Sequence, residues 1–176
     1  MNFTVAEAIE ILERTPRALT SMLSGLSESW LQWREGEGTW TVHEVVNHLI
    51  ENEKKNWVPR METILQGDGQ TQLPDFDRYS HIDAYAGYSV DRSLQEFAAL
   101  RAQNINVLNQ RVNLERHLEW TAVHPAFGKV KLRELLSTWV VHDLTHTAQI
   151  VRVVASRYRA DVGPWIEYLG ILKMKK

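Results

Sequence analysis

The 176-residue chain contains no cysteine. That absence excludes disulfide scaffolds, cysteine-based zinc and iron–sulfur sites, and a catalytic thiol belonging to the protein itself. Net charge is also nearly absent: 20 basic residues against 22 acidic ones leave −2. So small a balance argues against a broad electrostatic footprint for nucleic acid. Long hydrophobic runs are missing too. Stretches such as Trp139-Val140-Val141 span a few residues, where a membrane-crossing helix needs about 20. The first residues carry Glu7, Glu10 and Glu13 without a basic start, which is not the pattern of a signal peptide. These absences predict a soluble cytoplasmic protein with neither a membrane nor a nucleic acid as partner.

What is present is an ordinary globular composition, 44% hydrophobic and 24% charged. At this length it predicts one domain over residues 1–176. Val5, Ile9, Leu12, Pro16, Leu19, Leu23 and Leu26 follow one another at alternating steps of 4 and 3, the apolar seam of a packed helix. Thr4 and Glu7 fit a capping box at its start, and Pro16 is expected to kink it. A second box, Thr41 with Glu44, opens a helix expected over about 42–65, with Pro59 inside it. A polar connection from Gly67 to about Gly87 is long for a compact domain. A third helix is expected over about 89–113, its seam interrupted by Arg101. Residues 114–130 read as irregular. A fourth helix is expected over about 132–157, with a short terminal helix after Gly163-Pro164. Four amphipathic helices without a strong strand signal predict an all-α four-helix bundle.

Two of the seven histidines stand out by position. The inward seam of the fourth helix reads Leu135, Trp139, His142, His146, Gln149 and Val153. Residues four apart lie one turn along and about 40° around a helix, so both imidazoles can reach one ion. The spacing alone is common, with about 0.3 such pairs expected by chance at this histidine content. Its placement carries more weight, because two buried imidazoles stand where Leu or Ile would pack, and bound metal is the simplest compensation. His48, inward on the second helix, supplies a third nitrogen if the two helices are neighbours. Three nitrogen ligands with an open fourth position is the arrangement of catalytic zinc centres. The bland reading is a hydrogen-bonded polar core without metal. His43, His81, His117 and His124 are expected outside the site, although His124 could line a cavity mouth. Trp57 could line a pocket with Tyr79 or Tyr85. Asp143 should face away from the ion, and Gln149 could bind water or substrate or bridge helices.

Three stretches resemble the DinB/YfiT-like metalloenzyme family. Residues 35–49, containing Trp40-Thr41, Glu44 and His48-Leu49, look like its approach to the second helix. Residues 124–136 look like its turn into the last long helix, with Lys131 where the family usually has Thr or Ser. His142-Asp143-Leu144-Thr145-His146-Thr147-Ala148-Gln149-Ile150 looks like its HDxxHxxQI signature. The resemblance implies an up-down-down-up bundle with one long crossover, and a divalent metal, often zinc or nickel, on His48, His142 and His146. It also implies a homodimer and, in some relatives, an S-transferase using an external low-molecular-weight thiol. The expected function is therefore a metal-dependent hydrolase or thiol S-transferase acting on a small molecule. The alternative is a non-catalytic, dimeric metal-binding module of a stress response.

Overall fold

Thr4 starts the first helix, α1 (Val5–Leu23), its hydroxyl accepting from the backbone N–H of Glu7 at 3.2 Å. The expected box is half formed, because the Glu7 carboxylate takes the Thr4 hydroxyl proton instead of the Thr4 backbone N–H. The helix continues through Pro16. A proline there cannot donate to the carbonyl four residues back, so Leu12 loses its helical partner. That carbonyl accepts instead from Nη1 of Arg101 at 2.7 Å. A single turn, α2 (Glu28–Leu31), follows.

At Thr41 the capping box is complete: Glu44 N–H donates to the Thr41 hydroxyl at 3.1 Å, and Thr41 N–H to the Glu44 carboxylate at 2.7 Å. The helix it opens is shorter than expected. Residues 42–64 form two helices, α3 (Val42–Lys55) and α4 (Trp57–Ile64), broken at Asn56. Pro59 gives the reason, since its ring would collide with the Lys55 carbonyl in a continuous helix.

The long connection, residues 65–89, holds one turn, α5 (His81–Ala84). Ser89 then caps α6 (Val90–Arg111). Residues 114–130, expected to be irregular, contain a turn, α7 (Leu114–His117), and an antiparallel hairpin of β1 (Thr121–His124) and β2 (Gly128–Lys131). The strands are four residues each, too short for a period-2 pattern to stand out. Gln72 bridges Val123 in parallel, which stitches the long connection to the hairpin. The last long helix is α8 (Leu132–Ser156). Lys131 has no side-chain acceptor to cap it, but its backbone N–H is received by Glu134 at 2.9 Å. The expected terminal helix is two 3₁₀ turns, Gly163–Tyr168 and Gly170–Leu172, with Pro164 in the first. The computed structural model describes residues 2–173. Residues 1 and 174–176 of the expected 1–176 span lie outside the described residues.

Two apolar clusters fix the chain directions. One gathers Leu19, Leu23, Val45, Leu49, Phe97, Ile150 and Val153. The other gathers Val5, Leu12, Trp57, Met61, Ile105, Leu108 and Trp139. Helices α1 and α8 run from the second cluster to the first, whereas α3–α4 and α6 run from the first to the second. The fold is thus an up-down-down-up four-helix bundle, and residues 65–89 are its crossover between parallel neighbours α3–α4 and α6. Helix α8 packs against α1, α3 and α4. Between the apolar clusters lies a polar layer of His48, Glu53, Arg101, Asn104, His142 and Asp143. Among the described residues, no helix is long and apolar enough to cross a membrane.

Candidate metal centre

His48 stands on α3 and His142 and His146 on the facing side of α8, so the packing of these helices brings the three rings together. One ligand nitrogen from each lies within 4.8 Å of the others. Nε2 of His48 and Nε2 of His142 are 3.3 Å apart, and the His142 and His146 ring centroids are 4.3 Å apart. Burial, followed by the neighbouring histidines, holds His48 down to about 2. Burial, His146 and the Arg101 charge hold His142 down to about 3. Burial lowers His146 in the same direction. All three rings are neutral at pH 7 and keep a lone pair each.

Two side chains orient these rings. Gln149 Oε1 lies 2.8 Å from Nδ1 of His146. Only a protonated Nδ1 can donate to that oxygen, which leaves Nε2 as the acceptor. Asn52 Nδ2 donates to Nε2 of His48 at 3.0 Å and is itself held by Asn56, whose Nδ2 donates to Asn52 Oδ1 at 2.8 Å. Nδ1 of His48 and Nδ1 of His142 are buried with no hydrogen-bond partner. Three converging neutral imidazoles, with two buried nitrogens unpaired, form an incomplete hydrogen-bond network. The facing nitrogens of the three rings would suit a divalent cation better, Nε2 of His48 exchanging its Asn52 hydrogen bond for the ion.

Beside this cluster lies a buried ionic group. Arg101 donates to both oxygens of Asp143 at 2.6 and 2.9 Å, and to Glu53 at 2.9 Å. Glu53 also accepts from Trp139 Nε1 and Asn104 Nδ2. Burial opposes the Arg101 charge, but the two carboxylates outweigh it and push the guanidinium up. Burial raises Glu53 despite Arg101. Asp143, next in sequence to His142, faces away from the histidines as expected and anchors α8 to α6.

The remaining histidines divide. His117 packs on Trp120, and His124 stacks with Phe127 at the cavity rim. His43, expected outside the site and exposed, is half-buried, with Nε2 3.0 Å from Ser93 Oγ. His81 differs most from expectation. It is fully buried, edge-on to Trp40 with centroids 4.5 Å apart and 5.0 Å from His48. Among the described residues neither of its ring nitrogens makes a direct hydrogen bond, although the Arg78 backbone lies beside the ring. A His in a polar loop gave no sign of this, because the burial comes from α5 folding back onto Trp40.

A cavity of about 840 Å³ opens onto the three histidines, bounded by α3, α4, α8, the crossover and the hairpin. Trp57 lines it, stacked on Trp139 at 5.8 Å and edge-on to His142 at 5.1 Å. Tyr79 lines it as well. Tyr85 does not: it is buried in the core and gives its hydroxyl proton to Glu51. Glu44, the carboxylate one turn before His48, is occupied by its cap and by Arg34.

Known proteins agree with this architecture. A relative from Bacillus cereus, provisionally named a metal-dependent hydrolase, is 28% identical over 143 residues, covering 81% of this chain and 80% of its own. A Bacillus thuringiensis protein with the same provisional name matches equally. The structure of YfiT from Bacillus subtilis, described as an unusual four-helix bundle topology, superposes with a TM-score of 0.71. It is 21% identical and covers 84% of each chain. TT2238, described as a four-helix bundle protein, superposes with a TM-score of 0.57 at 20% identity, covering 81% of this chain and 94% of its own. The family model of the DinB superfamily matches residues 11–150, which take in part or all of each bundle helix and all three histidines, and the chain belongs to that superfamily.

Proposed function

We propose that the protein is a metal-dependent enzyme, with hydrolysis of a small molecule as its leading reaction. The observation that carries this reading is the convergence of three neutral imidazoles, one buried and two half-buried, on a large cavity. His48, His142 and His146 would hold a divalent transition ion. Nitrogen-only ligation favours zinc or nickel over calcium or magnesium. Such an ion supplies Lewis acidity, which makes water, or a small external thiol, a nucleophile at neutral pH. The protein's own residues bind and orient. Gln149 and Asn52 set the ring orientations, and Trp40 and Trp57 form a dry wall against the histidines. The provisional names of the Bacillus relatives support hydrolysis over thiol transfer.

Metal analysis of untagged protein grown with zinc and nickel tests the centre. About one equivalent is expected, and His142→Ala should lose most of it because one of three ligands is gone. Less than about a tenth of an equivalent in the unsubstituted protein would overturn the reading, since such a centre binds tightly. The loaded protein is then assayed on small esters and amides, and on electrophiles with several low-molecular-weight thiols. Turnover in the first set assigns a hydrolase and in the second an S-transferase. Full metal with no turnover in either leaves the binding module.

A further inference from the structure

Three arginines line the cavity, and they are not equivalent. Arg152 is neutralised by Glu35 through two hydrogen bonds at 2.8 and 3.0 Å. Arg60 gives Nε and Nη2 to the backbone carbonyl of Pro74. Asp75 favours its charge without forming a contact ion pair. Arg78, on the crossover, contacts no carboxylate among the described residues. Its guanidinium lies over the face of Tyr79, 5.9 Å away, while its backbone lies beside His48 and His81. Of the two acids on the cavity wall, Glu35 is paired with Arg152, while Glu134 accepts the Lys131 backbone N–H at the start of α8 and keeps its charge. Three arginines against two carboxylates leave the wall a small positive excess, although the whole chain is slightly acidic.

Arg78 lines the same cavity as His48, His142 and His146. That placement works against a dication at the same histidines, so stability and metal affinity both argue for another residue there. An anion arriving between the cation and the centre would reverse the sign of the effect. A guanidinium presents a planar fork that matches a carboxylate or a phosphate.

We propose that the substrate of this site carries an anionic group, a carboxylate or phosphate, received by Arg78 while its reactive end faces His48, His142 and His146. The inference rests on the metal-centre reading above. It narrows the substrate class to small acids whose reacting bond lies a short distance from the charge. Arg60, also bare of carboxylate, extends the same positive rim. Trp40, Phe76 and Tyr79 would flank the carbon skeleton between the two ends.

The test uses zinc-loaded protein and a matched pair of ligands, studied by titration calorimetry. Each has a hydroxamate head for zinc and a short tail ending in a carboxylate or in the neutral carboxamide, with tails of differing length. The acid is expected to bind roughly tenfold more tightly than the amide at its best length, as for a charged hydrogen bond. The gap should shrink as salt is added. Arg78→Gln, a change at an exposed side chain, should bring the pair within about twofold while leaving the amide's affinity unchanged. Equal affinities in the unsubstituted protein, or a preference undiminished in Arg78→Gln, overturn the proposal and leave the metal centre standing. If neither ligand binds protein that contains a full equivalent of zinc, the open metal centre itself is wrong and the inference falls with it.

Discussion

Arg101 on α6 donates to the carbonyl of Leu12 on α1 at 2.7 Å, and that carbonyl is free because Pro16, four residues on, has no N–H to offer it. A helix defect in one element thus supplies a ligand for a buried charge in another. The same guanidinium binds Asp143 and Glu53, so three helices besides α1 meet at one side chain.

Replacing Arg101 by Met leaves two carboxylates buried without their cation. Breaking such a cluster from one side typically costs about 3–5 kcal/mol. Urea unfolding of metal-free Arg101→Met should show a loss of that size. A loss under about 1 kcal/mol, the worth of an exposed pair, would show that water reaches this layer.

Acid should weaken the metal-free protein earlier than carboxylate titration alone would. His48 is held down to about 2 and His142 to about 3, against 6.5 in the unfolded chain. Between those values the unfolded chain carries more protons than the folded one, so stability rises with pH. Full stability is therefore expected above 6.5, with a decline as pH falls toward about 5, still above the carboxylate range. The double substitution His48→Gln, His142→Gln should flatten that slope in urea titrations at successive pH values. Identical slopes would mean the rings are solvated in the folded state.

Gln149 should govern metal affinity without touching the ion. Its Oε1 fixes which nitrogen of His146 carries the proton. Loss of such an orienting contact typically weakens binding 10–100-fold. Competition titrations of Gln149→Leu against a chromophoric chelator should show a weakening of about that range, with the helical circular dichroism unchanged. Unaltered affinity would assign Gln149 to substrate instead.

Much of this molecule is legible in its sequence, for a physical reason. Helix seams repeat over 19 to 25 residues in α1, α6 and α8, so their signal accumulates, and His142 and His146 are read directly from one of them. Local chemistry is legible as well: Thr41 and Glu44 form the box that their spacing announces. Contacts made by folding at a distance are not. Arg101 was visible as an interruption of its seam, but its partners Glu53 and Asp143 lie 48 and 42 residues away. His81 packs beside His48 only because the crossover turns back onto Trp40. The hairpin escaped because four-residue strands carry too little pattern. Pro59 was visible inside its helix, yet the break it causes falls at Asn56, one turn earlier.

The residues that would hold an ion stand on long helices, whereas part of the cavity wall belongs to the crossover, through Leu73, Phe76, Arg78 and Tyr79, and to the hairpin, through His124, Phe127 and Val130. Phe127, 78% exposed, stands at the hairpin tip on the cavity rim. Loops accept insertions and substitutions that helices packed on a core do not. The histidines proposed to hold an ion therefore stand on different elements from part of the surface a substrate would meet. Substitutions within residues 65–89 or 121–131 would reshape that part of the cavity and leave the three histidines in place.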